Sequence, residues 1–262
     1  MRPLEVTTPD GIELDAVVHP PASGTSRGTV VQAHGITVDR DEGGMFVRLA
    51  ERLAAQGFTA VRFSYRGHGL SGGEQRGATI AGEMLDLQSV IDRATEVAPG
   101  PVSLVAASFG AVSACLSLRL LRERVANLVL WNPVLDLEHT FLSPELPWGR
   151  ENFGADGRRA VREQGYLLID GEFRLGRVMW EEFHHYRPAD AFAADGTRAL
   201  VVHGDRDTYV SFDIAKAAAL SRPDTAFHTI AGSDHGFDTP EFEDEAIATT
   251  TAWLAGSERA RR

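Results

Sequence analysis

The chain has 262 residues, 43% of them hydrophobic and 24% charged, with a formal net charge of −11. That length fits one large domain with a sizeable core, and the acidic balance excludes a protein that grips nucleic-acid phosphates with a basic face. Cys115 is the only cysteine and no apolar run reaches transmembrane length, which excludes an intrachain disulfide and a membrane-spanning helix.

The predicted elements begin with LEVTT and IELDAVVH, alternating stretches on either side of PDG that predict an antiparallel hairpin. Residues 20–28, PPASGTSRG, are loop by composition. Strands and helices then alternate: a strand at 29–34, a helix at 45–57 closed by Gly57, and a strand at 58–63. A helix at 79–97 carries Ile80, Met84, Leu87, Val90 and Ile91 near one face; a strand at 102–107, a helix at 109–122 and a strand at 125–131 follow. The rhythm breaks at 133–190, a stretch too apolar for a disordered linker, which predicts an inserted lid or cap. A strand at 198–203, a helix at 211–221, a strand at 225–230 and a helix at 240–254 resume it, and the tail GSERARR is expected to fray. The alternation predicts an α/β fold with a mostly parallel sheet of about eight strands and helices on both faces. Its core takes 1–132 and 191–262, with 133–190 inserted. In such sheets functional groups collect at the carboxyl ends of the strands.

Ser108 stands at one such end, in SLVAASFGAVSACL, between the strand 102–107 and a helix. A tight strand-to-helix turn presents a hydroxyl outward beside the free N–H groups of a helix N-terminus, and it needs small residues two before and two after. Here these are Ala106 and Gly110. An inert helix cap is the alternative reading of a lone serine at this junction. Two further loops follow strand ends: HGDRDTYV, with Asp205 and Asp207, and AGSDHGF, with His235. Nucleophile, acid and base thus run in the order Ser, Asp, His along one edge of the sheet.

The chain resembles the α/β-hydrolases, in the serine-esterase branch that includes cinnamoyl and feruloyl esterases, monoacylglycerol lipases and related thioesterases. AHG at 33–35, RFSYRGHGLSGG at 62–73, ASFGA at 107–111, and HGDRDTYV with GSDHGF carry the resemblance, which spans nearly the whole chain and matches the lid only weakly. It implies Asp207 rather than Asp205 as the acid and His235 as the base of a triad with Ser108. It also implies an oxyanion hole of two backbone N–H groups, from Phe109 at the start of the nucleophile helix and from Ile36 after the HG. Ala106 departs from the family's glycine, and Ser64 stands where the family often has aspartate.

The resemblance implies a serine hydrolase for a small or medium, apolar acyl or aryl ester, acting through an acyl-enzyme. A thioesterase, an acyltransferase or a carboxylate-eliminating lyase would use the same triad, and a non-catalytic binding protein is a further class. A rate that falls below an apparent pKa of about 6–7 is expected if neutral His235 is the base. His34 reads first as loop-shaping and, with the lid aromatics Phe141, Trp148 and Trp180, as a candidate substrate contact. Phe153, Tyr166 and Phe183 belong to the same aromatic set. His68 and His203 read as loop hydrogen bonders, Asp205 and Asp234 as loop caps, and Asp86 as either a support for the site residues or, by preference, a solvent-facing carboxylate. FHHY at 183–186 lacks spaced partners for a metal, and no glycine-rich loop fits a nucleotide, so neither metal nor cofactor is expected. MRPLEVTTPDG lacks the basic and apolar regions of a signal peptide. The expected setting is cytoplasmic, the partner a small-molecule ester or thioester, with no nucleic acid and no membrane. The oligomeric state stays open, a dimer included.

Overall fold

The computed structural model describes residues 1–259. Its strands are β1 (Arg2–Pro3), β2 (Val6–Thr7), β3 (Glu13–Leu14), β4 (Ala16–His19), β5 (Thr29–Ala33), β6 (Thr59–Phe63), β7 (Val102–Ala107), β8 (Val125–Trp131), β9 (Tyr166–Ile169), β10 (Phe173–Gly176), β11 (Arg198–Gly204) and β12 (Thr225–Ile230). Its α-helices are α1 (Met45–Ala55), α2 (Ile80–Val97), α3 (Gly110–Leu121), α4 (Pro147–Phe153), α5 (Ala155–Gln164), α6 (Arg177–Glu182), α7 (Pro188–Ala194), α8 (Phe212–Leu220) and α9 (Pro240–Arg259).

An eight-stranded sheet runs in the order β1-β4-β6-β5-β7-β8-β11-β12. It is parallel from β6 to β12, while β1 and β4 add an antiparallel edge. The PDG turn does close a hairpin, β2 with β3. Alternation along β7 feeds both faces: Leu104 and Ala106 join a core with α2, α3 and α8, whereas Val105 and Ala107 join one with α1 and α9. Burial on both sides explains why the central strands read as continuous apolar runs. The tail is helical as far as it is described: α9 continues to Arg259, past the expected end at 254, and residues 260–262 lie outside the described residues. Among the described residues, no helix is long and apolar enough to cross a membrane.

Between β8 and β11 the chain builds α4, α5, the β9–β10 hairpin, α6 and α7. This segment has a core of its own, shared with Phe109 and Val112 at the start of α3 and with Ile36. It is tied to the sheet domain by Glu182, whose carboxylate accepts the Ile80 N–H at 2.6 Å and so caps the N-terminus of α2 together with the Thr79 hydroxyl. Asp86 corrects a sequence expectation. It is fully buried rather than solvent-facing, because Arg66 reaches it from three nitrogens, including its backbone N–H at 2.9 Å.

Candidate active site

Ser108 follows β7 with a φ of 49°, in the left-handed region that non-glycine residues seldom adopt. The turn is held by the Ser108 N–H donating to the Trp131 carbonyl at 2.8 Å and by the Ser108 carbonyl accepting from Val134 at 3.0 Å. Gly110 has to be glycine: a Cβ there would lie 2.5 Å from the His34 carbonyl oxygen and 2.6 Å from that of Ala33. Ala106, two residues before the serine, is fully buried, and the turn accepts its methyl group.

Three loops converge on this turn. His235 Nε2 lies 2.8 Å from Ser108 Oγ, and His235 Nδ1 lies 2.8 Å from Asp207 Oδ2. The second Asp207 oxygen accepts the backbone N–H groups of Tyr209 and Val210, both at 2.8 Å. His203 Nε2 adds a fourth contact to the carboxylate at 3.1 Å. Burial by itself would raise the Asp207 pKa, but the neighbouring His235 and the hydrogen bonds from both histidines override it and hold the carboxyl well below 3.8. With Asp207 ionised, Nδ1 of His235 carries the hydrogen and Nε2 is left to accept from the serine hydroxyl. Burial lowers the His235 pKa, yet Asp207, Glu42 and Asp234 outweigh it and raise the imidazole above 6.5. Asn132, itself left-handed with a φ of 41°, donates to the His235 carbonyl and accepts from the Gly204 N–H at 3.0 Å, tying the base loop to the sheet edge.

The cleft over Ser108 has a volume of about 320 Å³ and is walled by Ile36, Thr37, Val38, Met45, Trp148 and Tyr209, with Glu42, Asp170 and Glu243 as its carboxylates. Neither the Ile36 nor the Phe109 N–H donates to any other group among the described residues, which leaves two backbone donors beside the serine. The Gly35–Ile36 peptide is aimed by His34. Its Nε2 accepts the Tyr65 N–H at 2.9 Å, so Nδ1 carries the hydrogen and donates to the Gly35 carbonyl at 2.7 Å. In a trans peptide the N–H of Ile36 then points the opposite way. His68 Nε2 holds the Ile36 carbonyl at 2.8 Å.

Several expected roles shift. His34 is buried and absent from the cleft wall, its two ring nitrogens taken up by the Gly35 carbonyl and the Tyr65 N–H. Phe141 and Trp180 are also off the wall, stacked among Phe153 and Phe183 in the core of the inserted segment. Tyr166 packs under the Arg76 guanidinium. Trp148 alone of the three named lid aromatics lines the cleft, held by Asp170, which accepts its indole N–H at 2.9 Å. Asp205 and Asp234 cap loops, accepting the N–H groups of Gly232 and Thr208. His203 reaches Asp207 itself rather than only its loop. Ser64, in the place of the family's aspartate, accepts the Arg40 N–H at 3.1 Å. Sequence reasoning missed Glu42 and Tyr209. The Tyr209 ring stacks on the His235 imidazole at 4.8 Å and under Trp148 at 4.9 Å, so the inserted segment reaches the base through two rings. The one local signal was the place of Tyr209, two residues after Asp207.

The family model described as serine aminopeptidase, S33, matches residues 24–155, a span that contains Ser108 but not Asp207 or His235. No curated protein matches the chain in sequence. Est1E from Butyrivibrio proteoclasticus, solved with ferulic acid bound, is similar at a TM-score of 0.82 and 20% identity, over 97% of this chain and 98% of that one. Mouse alpha/beta hydrolase domain-containing protein 10 is similar at 0.75 and 17%, over 98% and 99%. A thermophilic esterase from Thermogutta terrifontis, with malate bound, is similar at 0.68 and 20%, over 98% and 100%. These likenesses show the fold, end to end.

Proposed function

Because the chain belongs to the serine aminopeptidase S33 family of α/β-hydrolases, we propose that it is a serine-dependent hydrolase of carboxylic esters with a small or medium, apolar acyl or aryl group. The observation that carries this reading is the continuous line from Asp207 through His235 to Ser108, each contact 2.8 Å, at the floor of a cleft with two unused N–H donors. In the proposed reaction Ser108 Oγ attacks the ester carbonyl while His235 Nε2 takes its proton, and Asp207 stabilises the imidazolium. The carbonyl oxygen, now an oxyanion, accepts from the Ile36 and Phe109 N–H groups; one such donor is worth roughly 3 kcal/mol in the transition state. The imidazolium returns its proton to the leaving alcohol, and water repeats the sequence on the acyl-enzyme.

An ester fits better than an acyl-CoA thioester, since no lysine or arginine is among the described residues lining the cleft to hold the phosphates of that carrier. A ferulate-bound neighbour supports an acyl or aryl acid of modest size, which the cleft volume of about 320 Å³ accommodates. Residues 133–190 serve as the lid in this reading, with Trp148 as their contribution to the pocket.

The test is turnover of p-nitrophenyl butyrate against butyryl-CoA, with S108A and H235A beside the wild type. Each variant is expected to lose roughly a millionfold in kcat. A fluorophosphonate probe should label the wild type at Ser108 and leave S108A unlabelled. Turnover unaffected by S108A would refute the reading. Preference for butyryl-CoA would replace ester with thioester, and a product acid free of solvent oxygen in labelled water would replace hydrolysis with transfer or elimination.

A further inference from the structure

Glu42 is a carboxylate of the cleft wall that hydrogen-bonds to none of Ser108, Asp207 and His235. It stands in the loop between β5 and α1, half-buried, with a φ of 47°, followed by Gly43 at 63° and Gly44 at 102°. A glutamate in the left-handed region costs about 1–3 kcal/mol and persists only where its surroundings enforce it. Glu243, also on the wall, pairs with Arg48, and Asp170 is taken up by Trp148 and Asn152. Glu42 has no cation partner among the described residues. Its Oε2 accepts the Gly35 N–H at 2.7 Å.

Gly35 is the hinge of the oxyanion loop. A Cβ on it would sit 3.3 Å from Ser108 Cβ and 3.4 Å from Glu42 Oε1, so the close approach of this loop to Ser108 favours the residue without a Cβ, whose backbone is also the freest. That freedom is removed by two anchors. His34 holds the Gly35 carbonyl and Glu42 holds its N–H. Without the second, rotation about the Gly35 φ is unopposed from the N-terminal side, and the Ile36 N–H loses its aim.

On the hydrolase reading above, we propose that Glu42 is a positioning residue of the oxyanion hole, which clamps the Gly35 N–H and thereby fixes the direction of the Ile36 N–H. It touches no reacting atom; it acts through the backbone of Gly35. The role needs an acceptor at this position and not a charge, so glutamine should replace it and alanine should not.

The experiment compares E42A and E42Q with the wild type on p-nitrophenyl butyrate, and with a trifluoromethyl ketone whose serine adduct bears an oxyanion. E42A is expected to lower kcat about 10–100-fold with KM within about 3-fold, less than outright removal of a donor, and to weaken the ketone by a similar factor. E42Q should keep plateau kcat and ketone affinity within about 3-fold of wild type. Hydrogen–deuterium exchange of the peptide spanning residues 34–40 reads the clamp without turnover: faster in E42A, wild-type-like in E42Q. Unchanged exchange and unchanged ketone affinity in E42A overturn the proposal, as does an E42Q impaired as far as E42A. A wild type whose turnover survives S108A sinks the hydrolase reading instead, an outcome the exchange measurement keeps separate.

Discussion

His235 meets charge from three directions. Asp207 sits on Nδ1, Asp234 adjoins it in the same loop, and Glu42 faces it from the loop before α1, while the neutral Tyr209 ring covers one side. The three carboxylates favour the imidazolium, so the His235 pKa lies above 6.5 despite burial. In the proposed mechanism only neutral His235 can take the serine proton. On that mechanism the rate falls as pH drops through this raised value, and the acid limb of kcat/KM should lie above the ordinary histidine value of 6.5. Burial pushes the Glu42 carboxyl up to about 7, so it is only partly charged where His235 titrates; E42Q removes that partial charge and should move the limb to lower pH by less than loss of a fully ionised carboxylate would. Rates from pH 5 to 9 for wild type and E42Q check this; coincident acid limbs would remove Glu42 from the electrostatics of the base. That Ser108, Asp207 and His235 meet at one edge of the sheet was legible because turn chemistry and strand ends are local properties of the sequence. Glu42 was not legible: nothing in VDRDEGGM separates its glutamate from a solvated loop carboxylate.

At the scale of elements, α2 shows where a sound pattern met an unsound assumption. Its buried positions Ile80, Glu83, Leu87, Val90, Ile91 and Ala94 follow helical spacing, with Asp86 on the same side. Ile80, Leu87, Val90 and Ile91 were legible; Asp86 was set outside, and carboxylates are indeed rarely buried unless paired. The partner of Asp86 is Arg66, from the loop after β6, and no local rule connects residues twenty positions apart across a strand end. R66M should leave a buried carboxylate without its cation and cost about 3–5 kcal/mol, read from urea unfolding at neutral pH. A loss under 1 kcal/mol would mean that Asp86 is carried by other groups. The stretch between β8 and β11 read as a break in rhythm, since an apolar stretch without the strand–helix period still has to bury itself. Which aromatic faces inward was not: apolarity says that Phe141, Phe153 and Phe183 leave water, and packing decides that they do so against one another.

Over the whole molecule, the net charge of −11 and the carboxylates of the cleft repel an anionic substrate as it approaches. Raising salt from 0.01 to 0.15 M shortens the screening length from about 30 to about 8 Å. For the hemisuccinate ester of p-nitrophenol, kcat/KM should therefore rise several-fold over that range, while the neutral butyrate stays flat. Equal salt responses from the two esters would remove the field of the protein from the account.

The succession of strands and helices, the small-residue turn around Ser108 and the order of Ser108, Asp207 and His235 along one sheet edge could be read from the chain alone, because periodicity and turn sterics act over a few residues. Only the tertiary structure decided that Glu42 clamps Gly35, that Tyr209 stacks on His235, that Arg66 pairs with Asp86, and that Trp148 rather than Phe141 or Trp180 reaches the cleft. Each of these depends on where distant loops close, as Ser108 and His235 do across 127 positions. Closure is set by the packing of the entire sheet and its helices, which no short window of residues contains.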